Sequence, residues 1–584
     1  MPPSLTTSLD SQTQPNWAVG TRDRVAEAKL SKELGIEPLV AAVLVQRGLS
    51  DPEAANAFLN PSIDQLADPA TLPDYGLARD AILGARERGE LIYVHGDYDV
   101  DGVTSAAIFH RFLGCIGCKV HTHVPHRMKE GYGIHEGAVD EAVALGAKLF
   151  LTCDCGIAAH DQVDQARAAN LSVVVTDHHA IAGELPNADA VVNPHRTDSA
   201  YGFSDLSGAG VAFRLCDGLN RELGQTANGY YRAFLDLAAL GTIADVMPLV
   251  GENRVIAKFG LEQLRQTKKV GLLSLMREAN VGQDPARPLL SRHVGWQLGP
   301  RLNAVGRIED AAVALRLLIE QDPAAADELA RQLERVNLER RSKTQEIVEE
   351  AEEMVLANGY DKKSLIMVAN AGWHAGIVGI VAGRLVDKFH RPVFVLTINT
   401  ESGTCKGSAR SIPKFHLAEA IWAHPGLVAG GGHAMAAGCS FPAERLEEVR
   451  TAFESYADER LTPEDLRPTI SADMEVTWDE VTMRAAEGLN MLEPFGCGNP
   501  EPTFVASTVA LSQIRPTRNP AHVRLVLRQN AGAPFSGIAF GIGEELSELG
   551  AGAEVDLLFK PDINDYKGLR ELQWQVKGFR AASR

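Results

Sequence analysis

Asp97, Asp99 and Asp101 alternate in the stretch GDYDVDG, behind the apolar run LIYV and in front of a glycine. Three like charges within five residues repel one another, so a cation is their expected partner. The spacing matches the opening of a calcium-binding EF-hand loop, with Asp97 first and Gly102 sixth. The twelfth residue of such a loop should be a bidentate glutamate, and here it is Ile108. LIYV also has the β-branched, aromatic texture of a strand, where an EF-hand needs a helix. The EF-hand is therefore excluded.

Other apolar runs lead to the same chemistry. LFLT (149–152) runs into Asp154, SVVVT (172–176) into Asp177, His178 and His179, and LIYV passes through His95 before its aspartates. A further acid, Asp245, follows FLDLAALGTIA. Strands of one parallel sheet share a carboxyl edge, where such sheets bind ligands. One acid at a strand end is as often a helix cap, but four acidic clusters with adjacent histidines are not explained that way. Carboxylates with imidazoles suit Mn2+ or Mg2+ better than zinc. So many acids exceed the needs of one ion, and the expected arrangement is a two-metal centre with ions about 3.5–4 Å apart. Such a pair activates a water and clamps a phosphoryl oxygen, which is hydrolytic chemistry on a phosphate ester. Cys115 with Cys118, and Cys153 with Cys155, raise zinc as a competitor. Both pairs lie in apolar surroundings, where free cysteine is a small hydrophobe.

The strands and helices that carry these groups show in the texture of the chain. Its 584 residues allow about three to five domains. A polar start predicts a disordered tail over 1–20, followed by a helical segment, 21–88, packed on the catalytic domain. Residues 89–250 read as a parallel α/β domain and 251–358 as a helical connection. That connection ends in a long bridging helix, because no proline or glycine interrupts the chain between Pro323 and Gly359. A second α/β domain is expected over 359–460, and many short strands with glycine turns predict a β-barrel over 465–584. The net charge of −19, from 57 basic and 76 acidic residues, excludes a surface that is basic throughout. It leaves room for a local basic track, and residues 254–316 are rich in arginine and lysine. Without a signal peptide, or an apolar run near the ~20 residues that cross a bilayer, a soluble cytoplasmic protein is expected, with no membrane contact.

GDYDVDGVTS, CDCG, TDHH and IADVMPL resemble, in order, the four motifs of the DHH phosphoesterase superfamily. The resemblance implies that Asp99, Asp101, Asp154, His178 and Asp245 ligate metal, with Asp154 bridging. His95 and Asp97 would be additional or outer ligands, His179 would face the scissile phosphate, and Asp177 would orient its neighbours. CKGSARS and GLVAGGGHAMAAG resemble the DHHA1-type substrate domain of that superfamily. Gly430, Gly431 and Gly432 could present successive N–H groups to an anion there, with Arg410 adding a guanidinium fork.

GWQLGPRLNAVGRIED, PHRMKEGYGIHE and the N-terminal QRGLSDPEAANAFLNPSIDQLADPATLPD are similar to the bacterial RecJ exonuclease family. That likeness implies a single-stranded-DNA exonuclease working from the 5′ end, releasing 5′-mononucleotides with two Mn2+ or Mg2+ ions, in DNA recombination and repair. It places DNA phosphates on Arg127, Arg301, Asn303 and Arg307, and on His374, Ser408, Arg410, Gly431, Gly432 and His433. The barrel becomes an OB fold in which Trp478, Phe495, Phe504 and Trp574 are candidates to stack on bases. A monomer is expected, with a helicase or a single-strand-binding protein as the candidate partner. Two other functions compete: a phosphodiesterase for short oligonucleotides or cyclic dinucleotides, and a non-catalytic single-strand-binding relative. The first needs neither the N-terminal segment, the basic span nor the barrel, and the second would not keep every ligand position filled.

Overall fold

The computed structural model describes residues 15–582 apart from 128, 132, 531, 567 and 568. Most of the tail expected over 1–20 lies outside these residues, but its end is ordered as strand β1 (Asn16–Val19), paired in parallel with residues 469–472. The chain divides into two compact units. One comprises Ala57–Arg340 with Leu492–Pro500, and the other holds the remaining residues.

The first unit is built on a five-stranded parallel sheet of β2 (Leu91–Gly96), β3 (Lys119–His123), β4 (Ala147–Cys153), β5 (Ser172–Thr176) and β6 (Ala190–Val192), in the order β3-β2-β4-β5-β6. Successive side chains go to opposite faces. Ile92, Val94, Leu149, Leu151 and Val174 join one core with helices Val100–Cys115, Gly208–Glu222 and Ala227–Ala244. Tyr93, Phe150, Val173 and Val175 join another with helices Glu136–Ala144 and His160–Ala168. Each fully buried residue of this kind contributes roughly 1.5–3 kcal/mol. With both faces covered, the acidic residues at the carboxyl ends of β2, β4 and β5 can only emerge at that edge. Strand β3 has no apolar run (KVHTH), because it is a half-exposed edge strand.

Helices Gly251–Arg265, Val270–Glu278, Gly299–Ile308 and Ala312–Ile319 follow, and Val294–Leu298 winds a wider, π-helical turn ahead of Gly299. The long helix is present as Pro323–Ala357, 35 residues, and it passes from the first unit into the second. Gly359, at φ 67°, terminates it in the left-handed conformation that glycine adopts without strain.

The second unit contains a mixed sheet of β7 (Ile366–Asn370), β8 (Val393–Asn399), β9 (Thr404–Arg410), β10 (Ala429–Gly432) and β11 (Ala436–Pro442), in the order β10-β11-β9-β8-β7. Helix Val378–Phe389 makes the crossover between the parallel β7 and β8. After β12 (Thr469–Ala472), the partner of β1, come β13 (Met474–Glu475), β14 (Phe504–Pro516), β15 (His522–Gln529), β16 (Phe535–Phe540), β17 (Glu554–Tyr566) and β18 (Leu569–Ala581). Pairing of β14 with β17 closes them into the expected barrel. Its interior takes Phe504 and Trp574, both fully buried, with Trp574 stacked on Phe559 at 3.6 Å. Those two are core residues, and stacking bases is not open to them. Trp478 lies 4.0 Å from Phe535, ring on ring, and Phe495 is half-buried in the first unit.

The N-terminal segment expected over 21–88 is divided between the two units, at Asn56 and Ala57. Leu39–Leu44 in helix Pro38–Gln46 are all buried, so the helix needs apolar cover on every side. It finds that cover in the second unit, where Arg47 pairs with Asp473 and helix Met483–Leu489 packs against it. Farther on, helix Tyr75–Glu87 packs on the parallel sheet.

Candidate metal centre

The aspartate loop joins β2 to helix Val100–Cys115. Asp99 is the N-cap, its Oδ1 accepting from the Gly102 N–H at 3.1 Å. Gly102 has no room for a side chain, since a Cβ there would lie 2.5 Å from the Asp97 backbone. Asp101 is buried in the first turn, and its two oxygens accept from the N–H groups of Gly208 (2.6 Å) and Ala209 (2.9 Å). Those donors are the first turn of helix Gly208–Glu222, where the helix dipole favours a carboxylate. Asp154, just beyond β4, adopts φ 62°, a left-handed backbone conformation that is unusual for a non-glycine residue.

Asp154 Oδ1 lies 3.0 Å from His178 Nε2 and 3.9 Å from His179 Nδ1. The same His178 nitrogen is 3.7 Å from both Asp101 and Asp245. Asp177 turns away from them and organises its own loop. Its Oδ1 accepts from the backbone of His178 (2.7 Å) and His179 (3.0 Å) and from His179 Nδ1 (2.7 Å), while Oδ2 accepts from Ile157 N–H (2.9 Å). Asp245 arrives from a helix, as the C-cap of Ala227–Ala244, and not from a strand end. The next residue, Val246, holds φ 59°, a strained conformation for a β-branched side chain.

Among the described residues, three sets have oxygens or nitrogens close enough to share an ion: Asp97–Asp99–Asp154, Asp101–His178–Asp245 and Asp154–His178–His179. None contains a cysteine, and Cys153 and Cys155 are buried thiols that burial pushes up in pKa. His95 enters none of the sets. It is buried between Phe150 and His123, with Nε2 at 3.2 Å from the Gly133 carbonyl.

Electrostatics separate these groups. Burial and neighbouring carboxylates push Asp97 and Asp154 well above the usual carboxylate range, Asp101 up to about 7 and Asp245 up to about 8. Burial lowers His178 to about 4 and His95 to about 3. His179 moves the other way: burial opposes its charge, but the hydrogen bond and charge of Asp177 raise it to about 9. His95 Nδ1, Asp97 Oδ1 and Asp154 Oδ1 are buried with no hydrogen-bond partner; the 3.0 Å approach of His178 to Asp154 lacks hydrogen-bond geometry. Unpaired buried acceptors are costly, and crowded carboxylates cannot all ionise unless cations join them. The donor set, mostly carboxylate oxygen with imidazole nitrogen, fits hard divalent ions.

Two glycines that sequence reasoning passed over protect this arrangement. A Cβ on Gly208 would sit 2.5 Å from Asp154 Cβ, and one on Gly241 would sit 2.6 Å from Asp101 Oδ1. The available signal was LSGAG, a serine N-cap followed by small residues.

The phosphate contacts expected elsewhere divide. Arg127 stacks over Tyr98 at 4.9 Å, between Asp97 and Asp99, and the charge of Arg307 also reaches Tyr98. Asn303 is half-buried on the same helix as Arg307. Arg301 is instead occupied, bonded to Glu334 at 2.5 Å and to the Gln297 carbonyl at 2.8 Å. Arg254 is a structural residue too, buried over Phe58 and donating to the carbonyls of Phe58, Leu492 and Glu493. Lys269, bonded to Asp236, is a third member of the basic span that serves the fold. In the second unit Ser408 and Arg410 lie together on β9 beneath the start of helix Val378–Phe389, with Gly379 3.3 Å and 3.6 Å from them by its Cβ position. His374 Nδ1 accepts from Gly376 N–H ahead of that helix. Gly431 and Gly432 belong to the edge strand β10, and a tight turn follows at His433–Met435, where the His433 N–H donates to the Ala436 carbonyl at 2.8 Å. In a strand, successive N–H groups point opposite ways, so the three glycines cannot aim all their N–H groups at one anion.

Comparison with known proteins extends the picture over the chain. Residues 91–242 match the model of the DHH family N-terminal domain, 361–459 the DHHA1 domain, and 472–578 the RecJ OB domain. The chain is 38% identical to the single-stranded-DNA-specific exonuclease RecJ of Bacillus subtilis, over 96% of this chain and 70% of that protein. It is 33% identical to the protein of the same name from Escherichia coli, over 92% and 95%. The crystal structure of RecJ from Thermus thermophilus in complex with Mn2+ superposes with a TM-score of 0.83 at 28% identity, covering 97% of this chain and 80% of that one.

Proposed function

Because the chain belongs to the RecJ family of single-stranded-DNA-specific exonucleases, we propose that it hydrolyses single-stranded DNA from the 5′ end, releasing 5′-mononucleotides, in recombination and repair. The observation that carries this is the shared position of Asp154 in two of the three ligand sets. The cofactors are two divalent ions, Mn2+ or Mg2+, which when bound neutralise phosphate charge and supply an activated water. Asp97, Asp99 and Asp154 would hold one ion and Asp101, His178 and Asp245 the other, with Asp154, 3.0 Å from His178, placed to serve both and His95 as an additional or outer ligand. His179 is the more exposed imidazole, at 39% against 9% for His178, so it is the one a phosphate reaches. Asp177 holds its ring and favours its charged form, which suits a donor to a phosphoryl oxygen.

Residues 89–250 carry catalysis, 359–460 recognise the end of the strand, and 465–584 hold its body. A scissile phosphodiester looks nearly the same from either direction, so polarity comes from a site that accepts one kind of terminus. Ser408, Arg410 and the start of helix Val378–Phe389 offer hydroxyl, guanidinium and backbone donors to a terminal 5′-phosphate. Arg127, Asn303 and Arg307 hold phosphates near the metal centre, Arg301 ties the helix of Asn303 and Arg307 to Glu334, and His374, Gly431, Gly432 and His433 line the end-recognition domain. The enzyme works as a cytoplasmic monomer beside a helicase or single-strand-binding protein, since an enzyme confined to single strands needs them supplied. None of its described helices is long and apolar enough to cross a membrane.

A 3′-labelled oligonucleotide tests polarity. The label should stay in progressively shorter fragments, and blunt duplex should survive. Arg410→Ala should reduce the preference for a 5′-phosphate over a 5′-hydroxyl by roughly tenfold, the loss of one charge-assisted contact of about 1.5 kcal/mol. Immediate release of labelled mononucleotide, or equal digestion of duplex, refutes the assignment.

A further inference from the structure

Trp296 is 69% exposed, which leaves a large apolar ring in water. It stands at the middle of the π-helical turn Val294–Leu298, and such turns are rare and concentrate at functional sites. The inner side of the turn is anchored by Val294 and Leu298, both fully buried, so the backbone that presents the indole is fixed. Its outer side is open: a Cβ on Gly295 would meet nothing within 4 Å, and Arg292, about one turn earlier, is exposed.

The turn leads directly into the helix that abuts both arms of the metal centre. A Cβ on Gly299 would lie 3.4 Å from Ala244, the neighbour of Asp245, and one on Gly306 would lie 3.0 Å from the carbonyl oxygen of Tyr98. Gly299 is three residues past Trp296, about 5 Å along a helix axis.

We propose that Trp296 is a substrate-positioning residue, its indole face stacking on a nucleobase of the single strand close to the metal centre. The assignment rests on the exonuclease function above and adds a contact to the base, where the other contacts are to phosphate. Unpaired bases expose their faces, and every base has one, so an aromatic platform suits an enzyme that must pass any sequence. Arg292, exposed four residues before the indole, with Arg127 and Arg307 near the aspartate loop, supplies positive charge of the kind that a polyanion requires.

The test is an abasic scan. Single-stranded oligonucleotides carrying one abasic residue at successive distances from the 5′ end are digested by the wild type, Trp296→Ala and Trp296→Phe, after melting curves confirm that the variants are folded. For the wild type, kcat/KM should fall about tenfold when the abasic residue occupies one particular position, the size of a lost stacking contact. Trp296→Ala should be about tenfold slower on the intact strand, chiefly through KM, and indifferent to the abasic residue at that position. Trp296→Phe should recover part of both. A wild type equally fast on every abasic strand, or a Trp296→Ala enzyme that keeps the same dip, overturns the proposal. A wild type with no activity on any single strand overturns the exonuclease function itself.

Discussion

Asp154→Ala is expected to lower kcat on single-stranded DNA by at least about a thousandfold, a rise in the barrier of about 4 kcal/mol. Asp154 belongs to two of the three sets and lies 3.0 Å from His178 of the third, so its loss is expected to weaken both ion positions. Asp245, at the rim and in one set only, should cost less when replaced. The fold should survive, because Asp154 is a buried acceptor without a hydrogen-bond partner, and removing it relieves crowding with Asp97, Asp99 and Asp101. Backbone conformation separates two variants. At φ 62°, Asn is tolerated and Ala is strained, so Asp154→Asn should be the more stable by roughly 1 kcal/mol although both are inactive. Rates on a labelled strand and melting curves without added metal check both statements. Retention of more than about a tenth of the wild-type rate, under ~1.4 kcal/mol of barrier, would remove Asp154 from its shared position.

Gly208→Ala should be nearly as damaging, by about a hundredfold, although it adds one methyl group and no charge. The new Cβ would lie 2.5 Å from Asp154 Cβ and 2.9 Å from its Oδ1, closer than atoms tolerate. The same residue supplies the 2.6 Å backbone bond to Asp101, so relief of the clash drags a second carboxylate with it. Displacements of about 1 Å in such centres cost about two orders of magnitude in rate. Stability should drop as well, by about 1–3 kcal/mol for an overpacked site. A Gly208→Ala enzyme with wild-type kcat and unchanged metal requirement would show that the helix start does not set the carboxylates.

The parallel sheet was legible because strands buried on both faces are written as apolar runs, and four of the five strands carry that mark. β3 was not, since an edge strand is free to read KVHTH. The acids and histidines were legible as chemistry, and three ligand sets form from them. What holds them was not. The contact of Asp101 with Gly208 spans 107 residues, and nothing local in LSGAG announces it. Nor does sequence distinguish a solvent-facing arginine from one like Arg254, whose guanidinium is consumed by three backbone carbonyls. The glycines of β10 were legible as lacking side chains, but not as a strand instead of a turn, because glycine is compatible with both.

Whether these carboxylates and imidazoles hold two divalent ions through one shared aspartate is decided by counting Mn2+ bound per chain at equilibrium, with free and bound metal separated by dialysis, for the wild type and Asp154→Asn. Two ions per wild-type chain are expected, and in the variant a weakening of both that leaves at most one at the same free concentration. A wild type saturating at one ion or none, or a variant that still binds two with unchanged affinity, would contradict that arrangement.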